Sequence, residues 1–264
     1  MTRFIFCDWG TSRWRLRLVE LAQGRVPAEH ATDEGIQPLA KLHPVQDGRH
    51  EFLAAVLERG IAALGVVGQP DIPVVISGMA SSTLGWQLLP YASLPAPIDG
   101  STLRFVDFLH GGRKVRLVSG LPTASDVMRG EETELIGLFA DPVRHHLWEH
   151  CTVVLPRSHS KHVRLHAGQI VDFATYLTGE LSGLLSQNST LATPGEAIFD
   201  ETVFVAGMRA SRKLGLSGAL FQTRARAVPG HLAAEHSRAF LSGGLIGAES
   251  AQAVPTPVKS YRNF

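Results

Sequence analysis

The sequence predicts an α/β protein made of two similarly built halves, and three observations carry that reading. Apolar residues alternate through the opening thirty residues, the period of a strand with one buried face. A continuous apolar run, Pro73-Val74-Val75-Ile76-Ser77, follows a segment with helical periodicity, and such runs suit strands buried on both faces. The opening order of strand, polar turn, strand, turn, strand, helix then returns after residue 152, although the residues of the two copies do not align.

Taken in order, Phe4–Cys7 is a short apolar strand ended by Asp8-Trp9-Gly10-Thr11-Ser12. Trp14, Leu16 and Leu18 alternate with Arg13, Arg15 and Arg17, which predicts one buried and one basic face. A third strand is expected over Val26–Thr32, after the Gln23-Gly24 turn. Phe52, Leu53, Val56, Leu57, Ile61 and Leu64 follow the i, i+3/i+4 pattern of a helix. The stretch from Gly85 to Gly112, with three prolines, reads as loops. Val115–Val118 is a short strand and Val127–Phe139 a helix with Leu135, Ile136 and Phe139 on one side. Strands are then expected at Thr152–Leu155, Lys161–Leu165 and Ile170–Thr175, with a helix through Leu177, Leu181, Leu184 and Leu185. Leu232–Ala253 is compatible with a helix interrupted at Ser242-Gly243-Gly244, and Val254–Phe264 reads as an extended tail. The boundary between the halves is placed at Asp141-Pro142, giving lobes 1–142 and 143–264.

Composition excludes several classes. With 264 residues, 44% hydrophobic and 19% charged, the chain can bury a core without disulfides and is not a disordered sequence. The formal net charge is +1, so no overall field draws it to nucleic acid or to an acidic membrane. No apolar run approaches the ~18 residues of a membrane span, and Asp8 arrives too early for a signal peptide. Cys7 and Cys151 sit in apolar stretches and read as small buried hydrophobes. A cytoplasmic enzyme follows, its oligomeric state open.

Four constellations can carry chemistry. Asp8–Ser12 is a turn with glycine and two hydroxyls, able to donate to phosphate oxygens, while Asp8 can hold Mg²⁺ through water; the plain alternative is a hairpin of turn-forming residues. Pro156-Arg157-Ser158-His159-Ser160-Lys161 is the matching turn of the second half, and two such turns at equivalent places suggest a phosphate chain gripped from both. Asp126-Val127-Met128-Arg129-Gly130-Glu131-Glu132-Thr133 gathers three carboxylates and a guanidinium at a helix start. Acidic residues there offset the helix dipole, but Arg129 has no such explanation, and it can clamp a substrate carboxylate. Ser77-Gly78-Met79-Ala80-Ser81-Ser82 follows a buried strand, where α/β proteins place ligands; a tight turn with a helix cap explains it equally well. The histidines lack metal-site spacing and read as solvated, and the P-loop, G-x-G-x-x-G and G-x-S-x-G motifs are absent.

At these residues the chain resembles the 2-keto-3-deoxygalactonokinase family. The matching segments are Cys7–Ser12, Ser77–Ser82 with Gly85-Trp86, D-V-M-R-G-E-E-T at Asp126–Thr133, L-P-x-S-H-S-K at Leu155–Lys161, F-A-T-Y-L-T-G-E-L at Phe173–Leu181 and F-L-S-G-G-L-I-G-A-E at Phe240–Glu249. The resemblance implies the actin-like sugar-kinase fold: two ribonuclease-H-like lobes, each a mixed sheet with flanking helices, and an active-site cleft between them. It implies ATP-dependent phosphorylation of the terminal hydroxyl of 2-dehydro-3-deoxy-D-galactonate in galactonate or galactose breakdown, with a sugar acid and a nucleotide as partners and ATP and Mg²⁺ as cofactors. By this resemblance Asp8, Gly10, Thr11, Ser12, Ser158, His159, Ser160, Lys161, Gly243 and Gly244 hold the nucleotide, and Asp8 the metal. Ser77, Gly78, Met79, Ser81, Trp86 and Arg129 bind substrate. Asp126 is the general base with Arg129 on the substrate carboxylate, and Glu131 and Glu132 are rivals for the base. Two departures stand out: Arg157 replaces the glycine usual in the second phosphate turn, and the family continues past the Leu245-Ile246-Gly247 helix where this chain ends in Val254–Phe264. Arg157 either blocks backbone approach or adds a phosphate contact, and the different end means either a truncated gene or altered nucleotide binding, with weaker Mg·ATP binding expected from it. The alternative reading is an inactive sugar-acid-binding protein on the same fold.

Overall fold

In a computed structural model, residues 3–42, 46–140, 149–192 and 195–252 are described. β1 (Arg3–Trp9), β2 (Trp14–Glu20) and β3 (Arg25–Thr32) form the expected antiparallel meander, with Cys7 opposite Leu16 and Trp9 opposite Trp14. Along β2, Trp14, Leu16 and Leu18 are buried, while Arg17 on the other face pairs with Glu29. α1 (Ile36–Leu42) and α2 (Gln46–Ala63) follow, and the stripe Leu53, Val56, Leu57 and Ile61 of α2 is buried as the spacing requires. β4 (Val74–Gly78) then runs parallel to β1, setting Asp8 beside Ser77 and Trp9 beside Gly78.

The stretch expected to be loops contains β5 (Ala96–Pro97) and β6 (Phe105–His110). β6 escapes a sequence reading because its exposed positions include Phe105 and Leu109, which erases the polar-apolar alternation. It pairs antiparallel with β7 (Arg113–Val118) through a turn in which Gly111 and Gly112 take positive φ. β8 (Leu121–Pro122) and β9 (Val127–Met128) make a short hairpin. α3 (Glu131–Phe139) begins later than the expected Val127, because Val127-Met128 is extended and Gly130 turns the chain at φ 111°.

β10 (His150–Leu155), β11 (Ser160–His166) and β12 (Gln169–Tyr176) form the second meander, followed by α4 (Thr178–Asn188), α5 (Glu201–Ala227) and α6 (Ser237–Gln252). The two meanders lie in different sheets, ordered β3-β2-β1-β4-β7-β6 and β10-β11-β12-β5. The first order, an antiparallel meander continued by parallel β4 and β7, is the ribonuclease-H-like arrangement that the resemblance implies. The chain divides into two compact units, Met1–Glu149 with His166–Asp172, and His150–Leu165 with Phe173–Phe264. The boundary expected at Asp141-Pro142 and the tail Val254–Phe264 lie outside the described residues.

The core of the first unit is aromatic: Trp9 packs against Trp14 (ring centroids 5.6 Å) and Trp86 (6.3 Å), and Trp86 against Phe108 (5.4 Å). Cys7 is buried there, its sulfur accepting the Trp14 indole N–H, and burial pushes its thiol pKa far up. Cys151 is only half-buried.

In the second unit α5 and α6 pack closely, and here one expectation is overturned. α6 runs unbroken through Ser242-Gly243-Gly244. A side chain at Gly243 would collide with the Phe204 backbone of α5, one at Gly247 with Met208, and one at Gly207 of α5 with the Phe240 carbonyl of α6. Gly243 and Gly247, four apart, share one face. These glycines therefore interrupt nothing; they let two helix backbones touch, and the side of Gly243 where a Cβ would stand is occupied by α5.

Gly243→Ala should lower stability by about 1–3 kcal/mol, the usual cost of forcing one extra carbon into packed backbone. Urea unfolding of the purified variant measures it. An unchanged midpoint accompanied by weakened nucleotide binding would return Gly243 to the ligand site.

Candidate functional site

In the first unit three segments meet at the C-terminal ends of parallel β1 and β4, the edge where α/β sheets bind ligands. The first is the Asp8–Ser12 turn. It is locked by backbone bonds: Gly10 N–H to the Arg13 carbonyl (2.9 Å), Ile36 N–H to the Gly10 carbonyl and Gln37 N–H to the Thr11 carbonyl (both 3.0 Å). The hydroxyls of Thr11 and Ser12 have no hydrogen-bond partner among the described residues, so they stand available. Asp8 is mostly buried and pairs with Arg15 at 3.2 Å.

The second segment follows β4. Gly78 has φ 99°, and a Cβ there would lie 2.6 Å from the Trp9 carbonyl oxygen, so only glycine lets β4 turn this close to β1. Ser77 shares a hydrogen bond with Thr133 (2.7 Å), and buried Ser81 donates to the Gly78 carbonyl (3.2 Å). Met79 is half-buried. Trp86 belongs to the aromatic core and backs the loop from behind, where substrate contact was expected.

The third segment is the start of α3. Arg129 is a hub: its Nε donates to Tyr91 Oη (3.2 Å), one terminal nitrogen to Ser81 Oγ (2.8 Å) and the other to the Leu89 carbonyl (3.1 Å). Its guanidinium also lies 4.0 Å from the Tyr91 ring centroid. Of the five guanidinium N–H groups, one remains on each terminal nitrogen. Glu131 accepts the Arg129 backbone N–H at 3.1 Å and closes that turn. Asp126 is half-buried between β8 and β9; its Oδ1 accepts the Val127 N–H at 2.7 Å, and its carbonyl accepts the Thr123 N–H.

Glu132 behaves differently from an ordinary first-turn carboxylate. It is fully buried, both oxygens sharing the Gly130 N–H at 2.9 Å, and its pKa is pushed up to about 8 by desolvation, with the Glu131 charge adding to the shift against the Gly130 hydrogen bond. Nothing in the sequence separates it from the exposed acids that open so many helices.

In the second unit the β10–β11 turn carries Arg157 and Ser158, both exposed. It is held by α4: Glu180 N–H donates to the Ser158 carbonyl (2.9 Å), His159 pairs with the Glu180 carboxylate (2.6 Å), and a Cβ at Gly179 would be 2.5 Å from the Arg157 carbonyl oxygen. Lys161 is buried, its ammonium donating to Thr175 (2.7 Å) and lying near the Phe173 ring, so it faces inward. Ser160 donates to Glu249 (2.7 Å), which also accepts from His162 (2.6 Å) and from Thr178. Burial pushes the Glu249 pKa up, yet the bonds from Thr178, Ser160 and His162 outweigh it and leave the group below its ordinary value. His162, expected to be solvated, is thus a buried side chain. A cavity of about 550 Å³ adjoins it, lined by Pro156, Arg157, Ile246 and Glu249 among others.

Within its own unit, each turn offers donors that suit phosphate oxygens. Free hydroxyls and backbone turns suit anionic oxygens, and the lone carboxylate of Asp8 suits a Mg²⁺ that keeps its waters. Among the described residues no three His, Cys, Asp or Glu side chains gather to bind a metal directly, and no helix is long and apolar enough to cross a membrane.

The family model for 2-keto-3-deoxy-galactonokinase matches residues 8–260. The chain is 33% identical to a protein of Rhizobium meliloti (strain 1021) named as a 2-dehydro-3-deoxygalactonokinase, covering 94% of this chain and 79% of that protein. It is 34% identical to the 2-dehydro-3-deoxygalactonokinase of Escherichia coli (strain K12), covering 94% of this chain and 80% of that one. A crystal structure from Sinorhizobium meliloti, described as that of a 2-dehydro-3-deoxygalactonokinase, superposes with a TM-score of 0.79 at 30% identity, over 95% of this chain and 80% of the other.

The buried Glu132 makes stability depend on pH. Its folded pKa of about 8 lies above the ordinary 4.5, so the native state holds an extra proton between those values. The contribution is complete below about pH 4.5 and is lost as pH rises through 8, a fall on the order of a few kcal/mol. Glu132→Gln, neutral throughout, should flatten this part of the profile. Urea unfolding of both proteins between pH 5 and 9 checks it, and parallel curves would contradict the burial of a protonated carboxyl.

Proposed function

Because the chain belongs to the 2-keto-3-deoxy-galactonokinase family, we propose that it transfers the terminal phosphoryl group of ATP to the terminal hydroxyl of 2-dehydro-3-deoxy-D-galactonate. The single observation supporting this from the geometry is the meeting of the Asp8–Ser12 turn, the Ser77–Ser81 loop and the Arg129 hub at one edge of one sheet. That edge brings phosphate donors, a metal-capable carboxylate and a carboxylate-capable guanidinium onto adjoining segments.

The roles follow from chemistry. Thr11 and Ser12 of the first unit, and Ser158 with the backbone of its turn in the second, donate to phosphate oxygens. Asp8 would hold a Mg²⁺, which would supply charge neutralisation on the phosphates. Arg129 offers its two remaining N–H groups to the sugar-acid carboxylate, while Ser81, Leu89 and Tyr91 fix its direction. Asp126 takes the proton of the attacking hydroxyl as the new O–P bond forms and the bond to the leaving ADP breaks. Glu132 suits that task less well at neutral pH, since it still holds its own proton there. Glu131 is occupied in closing the Arg129 turn.

Asp126→Asn keeps the shape and removes the acceptor charge, so kcat should fall about 10²–10⁴-fold with little change in KM. A coupled ADP-release assay on a panel of 2-keto-3-deoxy sugar acids measures it. Undiminished kcat would move the base elsewhere, and Glu132→Gln with a pH–rate profile would test the remaining rival. Wild-type protein that binds sugar acids yet releases no ADP would be a binding protein on this fold.

Arg129→Lys should chiefly raise KM for the sugar acid, because an ammonium cannot fork to a carboxylate. An unchanged KM would reduce Arg129 to its role of tying Ser81, Leu89 and Tyr91 together.

A further inference from the structure

Three of the segments that mark this chain as a family member converge on one side chain. Glu249 closes the Phe240–Glu249 segment on α6. Its Oε1 accepts from Ser160 (2.7 Å) and from His162 Nε2 (2.6 Å), both on β11, and its Oε2 accepts from Thr178, the first residue of α4. The second nitrogen of His162 is buried without a partner among the described residues. Only 8% of Glu249 is exposed.

A buried carboxylate is a poor device for stability alone, since an apolar side chain of similar size often serves as well or better. What it does better is fix direction, because each oxygen accepts only from donors at set angles. Here the donors are the residues that flank the β10–β11 turn. Ser160 ends that turn. Thr178 begins the helix whose next two residues hold it, Gly179 against the Arg157 carbonyl and Glu180 on Ser158 and His159. The turn is thus clamped to α4, and both β11 and α4 are clamped to α6 through one carboxylate. Ser160, His162, Thr178 and Glu249 also line the cavity beside the turn.

We infer that Glu249 is a positioning residue for the nucleotide: it sets the conformation in which the Arg157–Ser160 turn presents its donors to phosphate. This rests on the kinase reading above. It also gives Glu249 a role that sequence motif alone does not assign, and shifts weight within its segment from the glycines to the acid.

The test uses Glu249→Gln, which keeps size but cannot accept at both ends, and Thr178→Val, which removes one arm. Calorimetry with Mg·ATP on the full chain should show Kd raised about tenfold or more in Glu249→Gln and about threefold in Thr178→Val. KM for the sugar acid should stay within about twofold. Amide hydrogen exchange should quicken at residues 156–161 and 178–181 and stay unchanged in β1 and β4. A Kd for Mg·ATP within about twofold of wild type overturns the inference, whatever happens to the melting temperature. Should Glu249→Gln fail to fold, Thr178→Val decides on the same comparison. Wild type that binds Mg·ATP but phosphorylates no sugar acid defeats the kinase reading, while the Kd comparison still decides this one. Wild type that binds no Mg·ATP overturns the inference as well.

Discussion

In the first unit everything placed around Asp8 depends on the parallel pairing of β1 with β4. That pairing puts Asp8 beside Ser77 and Trp9 beside Gly78. It is tight enough at its end that the Trp9 carbonyl occupies the space a side chain at Gly78 would need. Ser77 then reaches Thr133 and fixes the first turn of α3, while Gly130 passes close to the Gly78 backbone. Two glycines at positive φ thereby bring the phosphate-type turn, the loop after β4 and the start of α3 into one neighbourhood. Behind them the Trp9, Trp14 and Trp86 rings pack as an aromatic floor.

The polar groups of this neighbourhood divide into those that hold the backbone and those left for a ligand. Glu131 and Ser81 hold the backbone, and Thr133 ties Ser77 to the start of α3. Thr11, Ser12 and part of the Arg129 guanidinium are left. Glu132 belongs to neither class: a carboxyl sealed from water and keeping its proton near neutrality. A neutral acid of this kind can donate a hydrogen bond where a carboxylate would repel.

Much of this was legible in the sequence, for particular reasons. The alternation of Trp14, Leu16 and Leu18 reports one buried face, and the unbroken run at β4 reports two. The family segments supplied the functional class. What stayed hidden was hidden by chemistry. β6 carries apolar residues outward at a sheet edge. β11, spelled Ser-Lys-His-Val-Arg-Leu-His, is buried through its first four residues despite its polar letters, because Glu249 and Thr175 satisfy them from distant positions. α4 shows the converse, since Leu181, Leu184 and Leu185 satisfy the helical pattern and yet no residue of that helix is fully buried. Partners some ninety residues away leave no local trace in a sequence. For the site, sequence reading named Arg129 and the two turns but could not see that Trp86 is core, Lys161 faces inward, or Glu249 joins three segments.

The seam between α5 and α6 bears on how relatives of this protein are compared. Gly207, Gly243 and Gly247 interlock so closely that any replacement must push one helix backbone away from the other. Selection on such positions acts through the separation of two helix axes and is blind to substrate. A column of glycines there would remain invariant in relatives that had changed their ligand or lost their catalysis, so its invariance carries no vote on activity. On the roles proposed above, divergence at Asp126, Arg129 or Glu249 would.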